Sequence, residues 1–301
     1  MIKVEDIIFE YEQTRVLHQI NFDFKEGEIV ALVGPNGSGK TTLMRTICGF
    51  LIPLSGKVWV NGIDVVENPR DAHSQLGYLS DFFGLYDDLT VFQSLQFTAY
   101  SRIQHQTNIS DRIDQVIEQL SITDFAYKKV GALSRGMRQR VGIAQAIIHQ
   151  PKVLLLDEPA SGLDPEARYD LSKLLLKLRD EGMTMMVSSH ILAELEDYSS
   201  SMLVLKSGKI VEQRQLTANQ EDWLPMFIKS SQKEQITIFF NQYEHVKEWT
   251  IESDKLIFKL NSEVTSKSEL LKLLIMSGLE IDEISEQKLD LQEEYIKSLN
   301  R

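Results

Sequence analysis

The chain has 301 residues, 43% of them hydrophobic and 25% charged, which is ordinary for a globular protein and long for a single domain. Its formal net charge of −12 argues against a nucleic-acid partner, since a nucleic-acid binder normally presents a basic surface. Cys48 is the only cysteine, so an intramolecular disulfide is excluded and a reducing cytosol is the expected compartment. Uncharged runs are far shorter than the roughly twenty residues that span a bilayer, so we expect no direct membrane insertion.

The first 32 residues predict antiparallel strands that lead into a buried strand. Ile20, Phe22 and Phe24 alternate with polar residues, which is the pattern of a half-buried strand. Tyr11 falls in the predicted first loop, 23 positions before Gly34. Its position allows two interpretations: an aromatic ring that stacks on a nucleobase, or an ordinary tyrosine at a strand end.

A glycine-rich loop between a predicted buried strand and a predicted helix is the most informative segment. Residues 34–42 read GPNGSGKTT and match the phosphate-loop pattern G-x-x-x-x-G-K-[ST], and the apolar run Ile29–Val33 precedes them. Glycines let the backbone approach a phosphate closely, and its N–H groups then converge on the anion. Lys40 is expected to reach the β- and γ-phosphates, and the hydroxyl of Thr41 to ligate Mg²⁺. We therefore predict nucleoside triphosphate binding by Gly34, Pro35, Asn36, Gly37, Ser38, Gly39, Lys40, Thr41 and Thr42.

A β subdomain and a helical insertion are expected beyond this loop. An alternating strand ends at the hairpin-turn dipeptide Asn61-Gly62, so a β subdomain is predicted to pack beside the phosphate loop. Residues from about 82 to 135 read as a helical insertion, with Thr90 and Ser110 as predicted N-caps. One apolar stripe at helical spacing consists of Ile113, Val116, Ile117 and Leu120.

A pair of carboxylates ends the next predicted buried strand. Leu133–Met137 leads into a helix that Pro151 stops, and the apolar run Val153–Leu156 then ends in Asp157 and Glu158. Carboxylates at a strand end beside a phosphate loop suit Mg²⁺ and the activation of a water molecule. Asp157 is the expected metal partner and Glu158 the expected general base. The alternative is a plain acidic turn at a strand end.

Asp164 and His190 are the remaining candidates in this half of the chain. Asp164 precedes Pro165 and is a suitable N-cap for a helix over 165–181, which does not exclude a second role. His190 follows the predicted strand Met183–Val187, whose carboxyl end faces the crevice where ligands bind in α/β sheets. Taken alone, such a residue is more often a hydrogen-bonded loop histidine than a catalytic one.

Residues 1 to about 215 resemble the nucleotide-binding subunit of ATP-binding-cassette transporters, with every hallmark in the expected order. The signature segment is the most specific of them, although Arg135 and Met137 stand where the family more often has Gly and Gln. The resemblance rests on the phosphate loop Gly34–Thr41, the signature Leu133–Met137, the acidic strand Val153–Glu158, the loop Ser161–Asp164, the switch histidine His190 and Tyr11 at the place of the adenine-stacking aromatic.

This resemblance implies an ATP-hydrolysing motor subunit that forms a homodimer and drives a separate integral membrane permease, with export favoured. ATP and Mg²⁺ are the expected cofactors. Ser134 and the Gly136 amide are expected to bind the γ-phosphate held by the other protomer. The subunit is then expected to be cytoplasmic and peripheral on the inner face of the cell membrane, with its permease docked near residues 78–100.

Asp81 departs from the family pattern, which usually has a glutamine at the end of that strand. An aspartate offers Mg²⁺ a charged oxygen on a shorter stem, and Mg²⁺ usually takes only one or two carboxylates. We expect Asp81 to contact the metal through a water and to serve mainly in relaying the nucleotide state to the permease.

The predicted fold is α/β: a P-loop NTPase core over 1–215 with an antiparallel β subdomain and a helical insertion, then a linker over 216–224. Residues 225–301 predict a small α+β domain, with strands over 236–240, 249–251 and 256–260 and a helix over 270–276. We find no catalytic constellation in that domain.

Two other function classes stay open. One is a soluble cassette ATPase that acts as an assembly or regulatory factor without a permease. The other is a nucleotide-dependent regulator that does not hydrolyse ATP. The presence of both Glu158 and His190 disfavours the second.

Overall fold

The computed structural model describes residues 1–81, 84–103, 109–191, 195, 198–216, 223–252, 255–261 and 264–286. The described residues fall into two units, 1–216 and 223–286. The strands of the first unit are β1 (Ile2–Tyr11), β2 (Thr14–Phe24), β3 (Ile29–Val33), β4 (Ser55–Val60), β5 (Ile63–Asp64), β6 (Leu76–Leu79), β7 (Val153–Asp157), β8 (Thr184–Ser189), β9 (Ser201–Lys206) and β10 (Lys209–Gln215). Its helices are α1 (Lys40–Ile47), α2 (Pro69–Ser74), α3 (Val91–Arg102), α4 (Ile109–Gln119), α5 (Arg135–Ile147) and α6 (Pro165–Asp180).

A six-stranded sheet forms the centre of the first unit, in the order β10-β9-β3-β8-β7-β6. Five of these strands run parallel, and β10 pairs antiparallel with β9. Strands β3, β7 and β8 are buried along their whole length because apolar residues cover both faces of the sheet. Their carboxyl ends meet at one edge, which is where open α/β sheets bind ligands.

A smaller antiparallel sheet, ordered β2-β1-β4-β5, is the predicted β subdomain. Ile20, Phe22 and Phe24 are buried on the inner face of β2, as the alternation predicts. The dipeptide Asn61-Gly62 forms the turn between β4 and β5, and both of its residues have positive φ angles.

Helices α3, α4 and α5 pack on one another next to the central sheet, as the predicted helical insertion requires. Thr90 caps α3 in a capping box with Gln93. The predicted cap at Ser110 is wrong, because α4 already begins at Ile109 and Ser110 is its second residue. The first residues of the predicted insertion, 82 and 83, lie outside the described residues.

The second unit contains β11 (Trp223–Lys229), α7 (Lys233–Phe240), β12 (Val246–Glu252), β13 (Lys255–Asn261), α8 (Lys267–Met276) and β14 (Glu283–Glu286). Its sheet is antiparallel in the order β12-β13-β11-β14, which is the ferredoxin-like βαββαβ arrangement. The predicted linker 216–224 lies mostly outside the described residues, and β11 takes in its last two positions. Residues 287–301 of the predicted domain also lie outside them.

The predicted strand over 236–240 is wrong, because this segment forms the second half of helix α7. Its β-branched and aromatic residues have high strand propensity. As a helix, however, Ile236 and Phe240 lie four positions apart on one face and are both buried in the core of the unit. Burial against the sheet outweighs local propensity here. The other predicted elements of this unit are present as β12, β13 and α8.

Candidate active site

The phosphate loop joins the carboxyl end of β3 to the start of α1, in the strand–loop–helix context that the sequence predicts. Gly39 is the N-cap of α1 with a φ of 106°, a backbone conformation that residues with a Cβ rarely adopt. A Cβ on Gly34 would lie 2.2 Å from the carbonyl oxygen of Leu205, so the loop can pass that strand only with a glycine there. The hydroxyl of Ser38 is buried and has no hydrogen-bond partner among the described residues. A phosphate oxygen would satisfy it.

The side chain of Lys40 points back into this loop and is 7% exposed. Its Nζ donates a hydrogen bond to the carbonyl oxygen of Gly34 at 2.8 Å and lies 3.3 Å from Oε1 of Glu158. A buried ammonium group needs such partners because water cannot solvate it. Lys40, the expected phosphate-binding cation, and Glu158, the expected base, are therefore neighbours in the folded chain.

Glu158 also contacts His190, which follows the next strand in the sheet. Nδ1 of His190 lies 2.7 Å from Oε2 of Glu158. The Glu158 side chain is 14% exposed and that of His190 is 42% exposed, so the pair lies at the border between protein and solvent. A carboxylate held by an imidazole at the mouth of a cleft is suited to accept a proton from a water molecule.

These groups face a single cleft of about 530 Å³. Tyr11 is 44% exposed and borders the cleft, with its ring edge-on to that of Phe9 at a centroid distance of 4.8 Å. Sequence reasoning missed Val16, which carries no motif, and it noted Ser161 only as the start of the loop Ser161–Asp164 and not as a site residue. The cleft is lined by Tyr11, Val16, Asn36, Gly37, Gly39, Lys40, Thr41, Thr42, Asp81, Glu158, Ser161 and His190.

Asp157 lies beneath the cleft rather than in its lining, and it is 2% exposed. The hydroxyl of Ser188 donates a hydrogen bond to Asp157 Oδ1 at 2.6 Å. Ser188 was also missed from the sequence, although a serine at the end of a buried apolar strand is an available signal. Asp81 lies close enough to Asp157 and Glu158 to be affected by their charges. Burial is the main cause that raises the pKa of Asp81 above its usual value, and these two negative charges raise it further.

The signature residues Ser134 and Gly136 do not line this cleft. Together with Asp164 they line a second cleft of about 250 Å³, and all three are absent from the lining of the first. The hydroxyl of Ser134 caps α5 by accepting a hydrogen bond from the N–H of Met137 at 3.3 Å. Asp164 caps α6 through the N–H of Ala167 at 2.8 Å, as predicted. The guanidinium group of Arg135 covers the loop after β7, since a Cβ on Gly162 would lie 2.5 Å from its Nη1.

Comparison with known proteins agrees with this geometry. The family model described as ABC transporter matches residues 17–161. The chain is 32% identical over 301 residues to the ABC transporter ATP-binding protein YdbJ of Bacillus subtilis (strain 168), covering 99% of this chain and 95% of that protein. It is 28% identical over 301 residues to the bacitracin transport ATP-binding protein BcrA of Bacillus licheniformis, covering 99% of this chain and 96% of that protein.

A solved structure of a dimeric ATP-binding cassette, in a post-hydrolysis state bound to ADP and Pi, is also similar. It matches with a TM-score of 0.65 and 25% identity over 72% of this chain and 100% of that chain. Because a relative above 30% identity aligns along nearly its whole length and the phosphate loop, acidic strand and histidine meet at one cleft, the chain belongs to the ABC transporter family as an ATP-binding, ATP-hydrolysing subunit.

Proposed function

We propose that the chain is the ATPase motor of an exporter, working as a homodimer on a separate membrane permease. The observation that carries this proposal is the contact of Glu158 with both Lys40 and His190 at the mouth of one cleft. These contacts support a site in which phosphate binding and proton abstraction occur within a few ångströms of each other. ATP hydrolysis itself is the activity of the family.

In the proposed mechanism, the N–H groups of the phosphate loop and the Lys40 ammonium group hold the phosphates of ATP. Without nucleotide, the Lys40 ammonium group lies beside the Glu158 carboxylate. When ATP binds, the γ-phosphate replaces Glu158 as the partner of Lys40. The Glu158 carboxylate can then accept a proton from the attacking water. His190 orients that carboxylate through its 2.7 Å contact. Tyr11 stacks on the adenine ring at the rim of the cleft.

The residues present fit Mg²⁺. Thr41, Asp157 and Asp81 offer a hydroxyl and two carboxylates, and hard oxygen ligands of this kind suit that ion. Within the described residues, no group of three or more His, Cys, Asp and Glu side chains is arranged to hold a metal ion. Mg²⁺ is usually held by one or two carboxylates together with water and the phosphates of a nucleotide. When bound, the ion would neutralise charge that develops on the phosphates.

The separation of the two clefts supports the proposed homodimer. Ser134 and Gly136 lie at the N-terminus of α5, a position that favours anions, but they do not line the cleft that contains Lys40. We propose that they close the ATP site of a second protomer. ABC ATP-binding subunits dimerise, and the similar solved structure is a dimer with ADP and Pi.

The proposed permease-docking surface lies within the region around residues 78–100. Tyr86, Phe97 and Tyr100 are each more than half exposed, and the rings of Tyr86 and Phe97 contact each other edge-on. Exposed aromatic residues in a contiguous patch mark interaction sites. Export is supported by the alignment with BcrA, a bacitracin transport protein, along nearly the whole chain. The division into 1–215, a linker over 216–224 and a small domain over 225–301 remains part of the proposal.

Membrane association should depend on the permease. No described helix has the length and apolar character required to cross a bilayer. We expect a cytoplasmic subunit that sediments with the inner membrane when the permease is co-expressed and stays in the supernatant when it is absent. Cell fractionation, followed by identification of the integral protein that co-purifies, measures this. Stable membrane attachment in cells lacking every candidate permease would contradict the proposal, and a functional subunit with no permease would favour an assembly or regulatory factor.

Substitution of Asp81 distinguishes a relay of the nucleotide state to the permease from a direct role as metal ligand or base. We expect Asp81→Asn to leave ATP affinity nearly unchanged, to slow hydrolysis far less than Glu158→Gln does, and to weaken transport more than basal hydrolysis. The reason is that Asp157 would already supply one carboxylate to the metal, beside negatively charged phosphates. ATPase rates measured against Mg²⁺ concentration, with and without the permease, test this. Loss of Mg²⁺ dependence or of all hydrolysis would identify Asp81 as a direct ligand or as the base.

A further inference from the structure

The hydroxyl of Ser188 connects the two carboxylate residues at the end of β7. It donates a hydrogen bond to Asp157 Oδ1 at 2.6 Å and accepts one from the backbone N–H of Glu158 at 2.9 Å. A serine hydroxyl has one hydrogen to donate and two lone pairs, so it can make both bonds at once. The bond to Asp157 points the hydrogen away from Glu158 and leaves a lone pair facing that N–H group.

Packing does not explain a serine at this position. Ser188 is fully buried, and the three residues before it on β8 are the apolar Met185, Met186 and Val187. Burying a hydroxyl is unfavourable unless hydrogen bonds replace its contacts with water. The two bonds to neighbouring β7 are therefore the reason that this hydroxyl is tolerated. The parallel register places Ser188 directly beside Asp157.

The backbone of Glu158 needs such a partner. Its φ angle is 49°, in the left-handed region that is unfavourable for a residue with a Cβ. The strand ends at Asp157, so the N–H of Glu158 has left the regular ladder of the sheet. Residues held in this conformation persist when the surrounding structure constrains them, and they cluster at active sites. Ser188 supplies the constraint from the backbone side, while Lys40 and His190 hold the carboxylate.

We propose that Ser188 is a positioning residue for hydrolysis: it fixes the Glu158 peptide in its left-handed conformation and thereby aims the Glu158 carboxylate into the ATP cleft. Asp157 orients the Ser188 hydroxyl for this contact. The inference rests on the proposed role of Glu158 as the general base. Ser188 does not line the cleft, so it can reach the reaction only through its partners Asp157 and Glu158, and we assign its effect on hydrolysis to Glu158.

Ser188→Ala tests this. We expect kcat to fall about tenfold, the effect of losing the buried hydrogen bond from the Glu158 N–H, while KM for ATP and the affinity for ADP with Mg²⁺ stay within about twofold of wild type. Ser188→Cys keeps more of the side-chain volume but bonds weakly, so its kcat should also fall. The control is Thr184→Val, which removes a buried hydroxyl from the other end of β8, where it accepts a hydrogen bond from the N–H of Gly27 at 2.9 Å. It should lower the midpoint of thermal unfolding as Ser188→Ala does and leave kcat unchanged.

A double substitution separates positioning from a general structural effect. In the Glu158→Gln background, Ser188→Ala should slow the residual single-turnover hydrolysis by less than twofold, because the group it positions is no longer a base. An equal tenfold loss in both backgrounds would overturn the inference, and so would a kcat for Ser188→Ala within twofold of the Thr184→Val control. If Glu158→Gln itself hydrolyses ATP at the wild-type rate, the proposed role of Glu158 fails instead, and the two failures are thereby distinguished.

Discussion

Glu158→Gln should accumulate as an ATP-bound dimer that hydrolyses its nucleotide on the order of 10²–10⁴ times more slowly than wild type. Glutamine keeps the shape of the side chain, so the contacts to Lys40 and His190 retain a partner, but a neutral amide does not accept a proton from water. Binding is expected to stay intact because the phosphate loop and Lys40 are unchanged. The ATP-bound dimer of this variant should therefore last longer than the ATP-bound dimer of the wild-type enzyme.

Size-exclusion chromatography of Glu158→Gln with ATP and Mg²⁺ measures the dimer, and single-turnover hydrolysis measures the rate. The matched control is Glu118→Gln, an identical change at an exposed position on α4. That variant should elute and hydrolyse as wild type does. Wild-type turnover by Glu158→Gln would show that another group is the base.

Ser134→Arg should abolish productive dimerisation while leaving the fold and the P-loop cleft intact. Ser134 is exposed at the N-terminus of α5, so a larger side chain does not disturb the core. The substitution removes one helix cap, which costs about 1 kcal/mol of stability. It also places bulk where the proposed partner's γ-phosphate binds. We expect ATP binding by the monomer to persist and steady-state hydrolysis to fall to near background.

Mixing wild-type and Ser134→Arg protein distinguishes shared sites from separate ones. If each ATP site is built from two protomers, activity should depart from a straight line as the variant fraction rises, because heterodimers contain one blocked and one complete site. Gln115→Arg, an exposed change on α4, serves as the control and should leave activity unaffected at every ratio. Full activity in a protein verified as monomeric by light scattering would contradict the shared site.

The sequence was most informative where function depends on consecutive residues. The phosphate loop needs glycines, a lysine and a hydroxyl at fixed spacing between a buried strand and a helix, and all of these are local requirements. The capping residues Thr90 and Asp164 were likewise predictable, since a cap contacts N–H groups three residues away. Ser110 shows the limit of this reasoning, because a suitable residue type does not locate a helix boundary to within one position.

Prediction from local sequence pattern was wrong where tertiary packing determines the secondary structure. Residues 236–240 have the composition of a strand and form part of helix α7 because Ile236 and Phe240 then share one buried face. Strand β14 was not predicted at all, since four residues around the buried Ile284 carry too little pattern. The ferredoxin-like order of the second unit depends on pairings between β11, β13 and β14, which are far apart in the sequence.

The amino-acid sequence was enough to predict nucleoside triphosphate binding, the residues expected to hold its phosphates, and the carboxylates and histidine expected to serve hydrolysis. The contacts among these groups could be seen only in the folded chain: Lys40 lies against Glu158, His190 against the same carboxylate, and Ser188 against the Glu158 backbone. The physical reason is that a motif specifies residue types along one segment, whereas a contact across 30 or more positions depends on the order and register of the parallel strands.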